Sequence, residues 1–321
     1  MLLFLIPTLI IVIYFVFRET DLRGLIGKIN GKNLFFLAVT MFVIWLLNAL
    51  RFFLVVRSAK GNISFSKAFE ISMASVFASN ITPFYSGGIA TQVYFLMKFA
   101  QTIGRSMAIS VIYLILSLFV TVTFSLILVL TPHAFISGIR SGFIYVLASF
   151  VLVLSFVALF FMRYPNKAKG AINLFFKVFV RRPADPVKLE KGINEFSESL
   201  RLFFSQNKLF IAFTILVALL TQLLSVFLTP LSLMTINVGF PLREAMLAHI
   251  AVSFVMSVGF TPGGIGLVEG AYAGMMYPFA PGSIAQLTFL YRIVSFYIPT
   301  IVGVIFFYKL LREERIRTAV S

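Results

Sequence analysis

Apolar residues in this chain run in long blocks, not in the alternation of a strand or the one-sided stripe of a soluble helix. Six blocks reach or approach the roughly 20 residues that cross a ~30 Å hydrocarbon core. They are 1–17, 34–56, 106–131, 142–162, 209–234 and 285–308, and they predict six spanning helices, the first of them short. Two further apolar stretches are broken near the middle. Residues 68–81 and 84–97 flank Thr82-Pro83, and residues 245–260 and 264–279 flank Thr261-Pro262-Gly263-Gly264. At ~1.5 Å per residue each half reaches only about 20–25 Å, and proline both lacks a backbone donor and disfavours helix in the residue before it. Each stretch is therefore predicted to be a re-entrant helical hairpin whose tip lies inside the membrane. The expected fold is all-α: a polytopic membrane protein with about six full spans and two re-entrant hairpins.

With two re-entrant hairpins, the parity of the spans opens the first hairpin to one side of the membrane and the second to the other. Their tips are also alike, Ile81-Thr82-Pro83-Phe84-Tyr85-Ser86-Gly87-Gly88-Ile89 against Phe260-Thr261-Pro262-Gly263-Gly264-Ile265-Gly266. Similar motifs entering from opposite faces are the mark of inverted repeats. The 321 residues are thus expected to form one integral membrane domain with a first half at 1–162 and a second at 209–321. A basic loop at 163–208 joins them.

Composition agrees with a lipid environment. Hydrophobic residues make up 60% of the chain and charged residues only 12%, about half of what a soluble surface carries. The net charge of +16 would point to nucleic acid in a soluble protein. Here the parity puts nineteen of the 27 basic residues on one side, in 57–67, 98–105, 163–208 and 309–321, and six on the other. The positive-inside rule places the richer side in the cytoplasm and excludes the nucleic-acid reading. The expected location is the inner (cytoplasmic) membrane, multi-pass. The Met1-Leu2-Leu3-Phe4 start has no basic flank or small-residue cleavage site and reads as a retained span. With no Cys, thiolate sites are excluded, two His do not make a His-rich metal site, and no cofactor is implied. Within the basic loop, Asp185-Pro186 starts a helix to about Phe204. Its apolar face of Leu189, Ile193, Phe196, Leu200 and Phe203 is expected to lie on the anionic inner leaflet.

Ionisable groups inside a membrane are costly, so each is a functional candidate. Arg51 lies near the cytoplasmic end of the second span, where snorkelling is an equal explanation. Arg292 sits seven or eight residues into the last span, too deep for easy snorkelling. Glu269 is the one acidic residue expected deep in the membrane, and Arg292 is its natural partner. The glycines Gly87, Gly88, Gly263, Gly264 and Gly266 allow close approach to backbone N–H groups at helix starts, which favour anions. They serve equally for tight helix packing. Asn80, Thr82, Tyr85, Ser86 and Gln92 add uncharged polarity suited to headgroups. No nucleotide loop, nucleophile–His–carboxylate set or carboxylate pair is present, and His249 reads as a packed residue.

The run Pro262-Gly263-Gly264-Ile265-Gly266-Leu267-Val268-Glu269-Gly270, followed by Tyr291-Arg292 and Tyr297-Ile298-Pro299, resembles the lysylphosphatidylglycerol synthase transmembrane (flippase) family. Ala49-Leu50-Arg51, Asn80-Ile81-Thr82-Pro83 and Gly87-Gly88 agree, and the resemblance covers nearly the whole chain. It implies a membrane domain that moves aminoacylated or related lipids between leaflets. The soluble domain that attaches the amino acid in bifunctional members is absent, so the chain is expected not to be an enzyme. Family members often carry an acidic residue and an arginine just after the first Gly-Gly, where this chain has Ile89 and Gln92.

Two function classes follow. One is a lipid translocase whose headgroup site draws on Arg51, Asn80, Thr82, Gly87, Gly88, Gln92, Gly263, Gly264, Gly266, Glu269, Arg292 and Tyr297. The other is a non-transporting lipid-binding accessory or scaffold of a membrane enzyme complex. A lipid-modifying enzyme using Glu269 ranks below both. Phospholipids are the expected partners, nucleic acid is not, and a second copy of the chain is a candidate partner.

Overall fold

The computed structural model describes residues 22–99, 101–130, 149, 156, 186–257 and 259–320, and the described residues contain helices and no strand. The predicted span 1–17, nearly all of 142–162 and the stretch 163–185 lie outside them. The helices are α1 (Leu22–Lys28), α2 (Gly31–Ser58), α3 (Phe65–Asn80), α4 (Ser86–Lys98), α5 (Ile103–Leu130) and α6 (Pro186–Phe204). They continue with α7 (Lys208–Val226), α8 (Leu228–Thr235), α9 (Leu242–Ser257), α10 (Leu267–Met276), α11 (Ile284–Arg292) and α12 (Ile298–Val320). Four stretches are long and apolar enough to cross a bilayer: Gly31–Ser58, Ile103–Phe124, Lys208–Thr235 and Pro281–Glu314. A polytopic α-helical membrane protein follows.

Side-chain caps set several helix starts. Asn30, Ser64 and Asn207 accept hydrogen bonds from the N–H groups of Asn33, Lys67 and Leu209, satisfying donors that a helix start leaves orphaned. Prolines set two breaks that the apolar pattern does not reveal. The predicted span 209–234 is divided at Phe227, where Pro230 cannot bond back to Val226. The predicted span 285–308 is divided by a π-helical turn, Ile293–Tyr297. Pro299 follows it and cannot donate to the Ser295 carbonyl.

Two apolar cores lie toward opposite ends of the bundle. One joins α1, the start of α2, α8, α9, α10 and α11, through residues such as Leu25, Leu37, Leu233, Ala248, Tyr272 and Leu287. The other joins the end of α2 with α3, α4, α5, α6 and α12, through Phe52, Ile71, Phe95, Ile109, Leu200 and Leu310. Close packing of α12 on α3 depends on Gly303, where a methyl group would sit 2.5 Å from the Met73 carbonyl oxygen and 3.0 Å from the Phe77 nitrogen.

Polar contacts show which way each hairpin opens. Lys67, at the start of α3, bonds Glu313, and Lys98, at the end of α4, bonds Glu314. Both ends of the first hairpin therefore meet the far end of α12. Gln206 donates to the Ser58 carbonyl at 3.2 Å, within the same apolar core. At the other end Asn30 N–H donates to the Thr235 carbonyl at 2.7 Å, and Asn237 Nδ2 donates to the Lys28 carbonyl at 2.9 Å. Lys28 Nζ donates to Ser283 Oγ at 3.1 Å. The second hairpin starts just after Asn237 and finishes just before Ser283, so it enters from that opposite end.

The ends of the first hairpin are held by an ionic cluster. The Glu70 carboxylate, in a residue 3% exposed, accepts from Lys67 at 2.5 Å and from Lys309 at 2.6 Å. Lys67 also pairs with Glu313 at 2.6 Å. Burial opposes the Lys67 ammonium, but the hydrogen bonds it donates to Glu313 and Glu70 outweigh it and hold its pKa above the ordinary 10.5.

The helix Pro186–Phe204 forms where the sequence places it, but its apolar face does not rest on lipid. Ile193, Leu200 and Phe203 are buried in the protein core. The cause is close approach to α5: a methyl group on Gly104 would lie 3.0 Å from the Phe196 nitrogen, so the two backbones nearly touch.

Candidate anion site where the hairpin tips meet

Both tips make the same turn. Thr82 and Thr261 are extended, at φ −120°, ψ 145° and φ −89°, ψ 151°. A proline follows each, and the next two residues are both left-handed: Phe84 and Tyr85 at φ 54°, and Gly263 and Gly264 at φ 60° and 65°. The second tip meets this demand with glycine, which has no Cβ to clash. The first meets it with two aromatic residues, at roughly 1–2 kcal/mol of strain each.

The tips touch. Gly263 packs against the Asn80 carbonyl oxygen and the Phe296 ring, and a methyl group there would lie 3.0 Å from that oxygen. Asn80 Nδ2 donates to Thr300 Oγ1 at 2.7 Å, and Thr300 Oγ1 donates to the Phe296 carbonyl at 2.5 Å. Arg292, Phe296 and Thr300 stand four residues apart along one side of the last span and carry both tips. The π-helical turn lies between the Arg292 and Thr300 contacts.

Arg292 is 2% exposed. Its Nε lies 2.7 Å from Glu269 Oε1, Nη2 donates to the Gly263 carbonyl at 3.1 Å, and its guanidinium covers the Phe296 ring at 4.4 Å. The expected Glu269–Arg292 pair is formed. The ion pair is not a directed hydrogen bond, because among the described residues neither Nε nor Oε1 has an aligned partner, and Nη1 has none. A buried guanidinium with an unused donor is poorly satisfied for a protein interior.

Glu269 has a second task. Its Oε2 accepts from Gly266 N–H at 2.8 Å, so the carboxylate supplies the negative charge that the start of α10 favours. The helix start expected to attract an external anion is thus occupied by the chain's own side chain at the second tip, and Arg292 Nη1 is the donor left over. Gly266, at φ 84°, is exposed with open space around it. Tyr297 is half-buried, within electrostatic reach of Arg292 and Glu269.

Other expected site residues are spent on packing. A side chain at Gly87 would overlap the Ala78 carbonyl and Thr82, and one at Gly88 would overlap Ser79. These glycines let α4 lie on α3. Thr82 Oγ1 donates to the Ala78 carbonyl and accepts from Gly87 N–H, both at 2.8 Å, which fixes the first turn. Gln92 is buried between α4 and α3 and reaches Ser75 Oγ at 3.4 Å. Arg51 is 6% exposed and bonds Asn48 Oδ1 at 3.0 Å, with its guanidinium 4.2 Å from the Tyr113 ring centre. Its partners belong to the α2–α5 contact, so Arg51 is neither snorkelling nor joined to the tips. His249 accepts or donates one hydrogen bond with Thr229 at 3.1 Å and meets the Tyr291 ring edge-on, as a packed residue does.

Phe296 and Thr300 were absent from the expected site, and Tyr85 was expected only as uncharged polarity of the first tip. The four-residue steps from Arg292 were a usable signal for the first two. Tyr85 Oη is buried without a partner among the described residues and lies 3.4 Å from where a side chain on Gly264 would begin.

Residues 2–303 match the family model described as the lysylphosphatidylglycerol synthase TM region. The chain is 25% identical to a UPF0104 membrane protein of Archaeoglobus fulgidus, with 96% of both chains covered. It is also 25% identical to a UPF0104 membrane protein of Pyrococcus horikoshii, covering 83% of this chain and 84% of that one.

Proposed function

This chain belongs to the lysylphosphatidylglycerol synthase transmembrane-region family, and from that premise we propose that it moves an anionic phospholipid between leaflets. The observation that carries this reading is Arg292: a nearly inaccessible cation with an unused Nη1 donor, where two hairpins from opposite ends meet. A phosphodiester headgroup supplies the missing acceptor. Glu269, next to it, suits the ammonium of an aminoacylated phosphatidylglycerol. The halves 1–162 and 209–321 act as inverted repeats, and one moves against the other to expose the site alternately. The ionic end at Lys67, Lys98 and Lys309 faces the cytoplasm of the inner membrane. With no nucleotide loop in the sequence, transport runs down a lipid or ion gradient.

A non-transporting lipid-binding accessory is the second reading. Its specific support is that Glu269 already serves both Arg292 and Gly266, as a static brace would.

The deciding experiment reconstitutes the protein with headgroup-labelled phosphatidylglycerol or its lysyl derivative and quenches label in the outer leaflet. Translocation by the wild type, lost in a folded Arg292→Ala variant, supports the proposal. Movement unchanged in that variant removes Arg292 from the site, and no movement of either lipid by folded wild type favours the accessory.

A further inference from the structure

We propose that Tyr85 is the first hairpin's contribution to the Arg292 site: its hydroxyl and Arg292 Nη1 together bind one phosphate group, so that a bound headgroup ties the two tips together. This rests on the lipid reading above for the source of the phosphate.

Three independent observations meet at Tyr85. The first is backbone strain. Phe84 and Tyr85 hold φ 54° where the matching residues of the second tip are glycines at φ 60° and 65°. A turn that glycine makes freely is made here by two side chains that resist it, and strain of this kind persists where the side chain has a task. Phe84 points away, 69% exposed, so it has no buried contact to account for it. Tyr85 turns inward.

The second is complementarity between the tips. The Tyr85 ring lies over Gly259 and its hydroxyl over Gly264; methyl groups on those glycines would approach it to 3.8 and 3.4 Å. The space a side chain on the second tip would fill is taken by the aromatic ring of the first. The third is an unmet hydrogen-bonding need. Tyr85 Oη and Arg292 Nη1 are both buried and both lack partners among the described residues, and they converge on adjacent residues of the second tip: the hydroxyl faces Gly264, and Arg292 Nη2 donates to the Gly263 carbonyl. Leaving either donor unsatisfied costs free energy that a shared acceptor would recover.

One neutral hydroxyl and one guanidinium N–H suit the two unesterified oxygens of a phosphodiester, one donor to each. The donors come from different hairpins. Binding therefore stabilises the state in which the tips touch, and separation of the tips releases the ligand.

The test uses the full chain purified in detergent, with thermal unfolding followed as dihexanoyl phosphatidylglycerol or inorganic phosphate is added. The lipid is expected to raise the unfolding temperature of the wild type, with little effect of inorganic phosphate. Tyr85→Phe keeps the ring and the packing and removes the unpartnered hydroxyl, so its unliganded stability should equal or exceed that of the wild type. Its apparent affinity for the lipid should fall roughly tenfold, the loss of one hydrogen bond to a charged group. Tyr85→Gly releases the strain but also removes the ring, and if folded it should lose at least as much lipid affinity as Tyr85→Phe.

Unchanged lipid affinity in Tyr85→Phe overturns the assignment. So does a wild type that responds to neither probe. An equal response to inorganic phosphate overturns the headgroup as ligand. Leaflet exchange is scored separately on the same variants. Exchange by the wild type with unchanged lipid binding in Tyr85→Phe sinks the Tyr85 role alone. Tyr85-dependent binding without any exchange sinks the translocase alone and leaves the site standing.

Discussion

Glu70 allows the hairpin anchor to be tested quantitatively. Its buried carboxylate accepts from Lys67 at 2.5 Å and Lys309 at 2.6 Å, so Glu70→Gln preserves shape while removing the charge both ammoniums share. Breaking a fully buried pair costs about 3–5 kcal/mol, because the stranded charge has nowhere to go. Here the stranded charges have outlets. Lys309 has a side chain half exposed and can turn to water, which lowers its share to the ~0–1 kcal/mol of a surface pair. Lys67 is more enclosed but keeps Glu313 at 2.6 Å, which leaves roughly 1–2 kcal/mol on that side. The expected loss for Glu70→Gln is about 2 kcal/mol. The assay is equilibrium unfolding in mixed micelles, run as a double-mutant cycle with Lys309→Gln and with Lys67→Gln. Coupling should be about 1 kcal/mol for each pair and larger for Lys67. A Glu70→Gln protein as stable as the wild type, or coupling near zero with both lysines, would refute the argument. The carboxylate would then be held in place by packing alone.

Two further outcomes follow from the same end of the bundle. Gly303→Ala places a methyl group against the Met73 carbonyl and the Phe77 backbone, and should cost about 1–3 kcal/mol by overpacking; an unfolding curve matching the wild type would show that α12 and α3 can move apart freely. The chain contains no cysteine, so Lys98→Cys with Glu314→Cys needs no background removal. Those residues meet at the tips of two long side chains, a separation that a direct disulfide does not span, so a bis-maleimide whose spacer replaces the lost side-chain length should give an internal cross-link visible after proteolysis between them, whereas failure to cross-link would argue against the closed hairpin end.

Much of this arrangement was legible in sequence because its causes are local. Thr-Pro at both tips stops a helix wherever it occurs, and the hairpins appeared with ends one to three residues from those expected. The Glu269–Arg292 pair was legible because an apolar span leaves so few candidates. The anchoring cluster was not, since beyond the Lys67–Glu70 step on one helix its members are neighbours only after folding. Lys67 and Glu313 are 246 residues apart, and Tyr94 and Glu314 are 220. Nothing in Phe84-Tyr85 advertises a left-handed turn either, because those residue types do not favour it; only comparison with Gly263-Gly264 makes the geometry intelligible. Arg51 looked like a site residue on depth and charge alone. Asn48, three residues earlier on the same helix, is readable as a neighbour, but the ring of Tyr113 on another helix cannot be read from a linear pattern.

The contact of α12 with the first hairpin also sets an order of events during synthesis. Glu70 emerges from the ribosome 239 residues ahead of Lys309. At roughly 5–20 residues per second it waits on the order of 10–50 s for that partner. Over that interval the first hairpin has lost neither its apolar surface nor its buried acid, but α12 has not yet arrived to cover the one or neutralise the other. The nascent first half is therefore a client for whatever insertion machinery shelters half-made membrane proteins, and the last helix is the event that releases it.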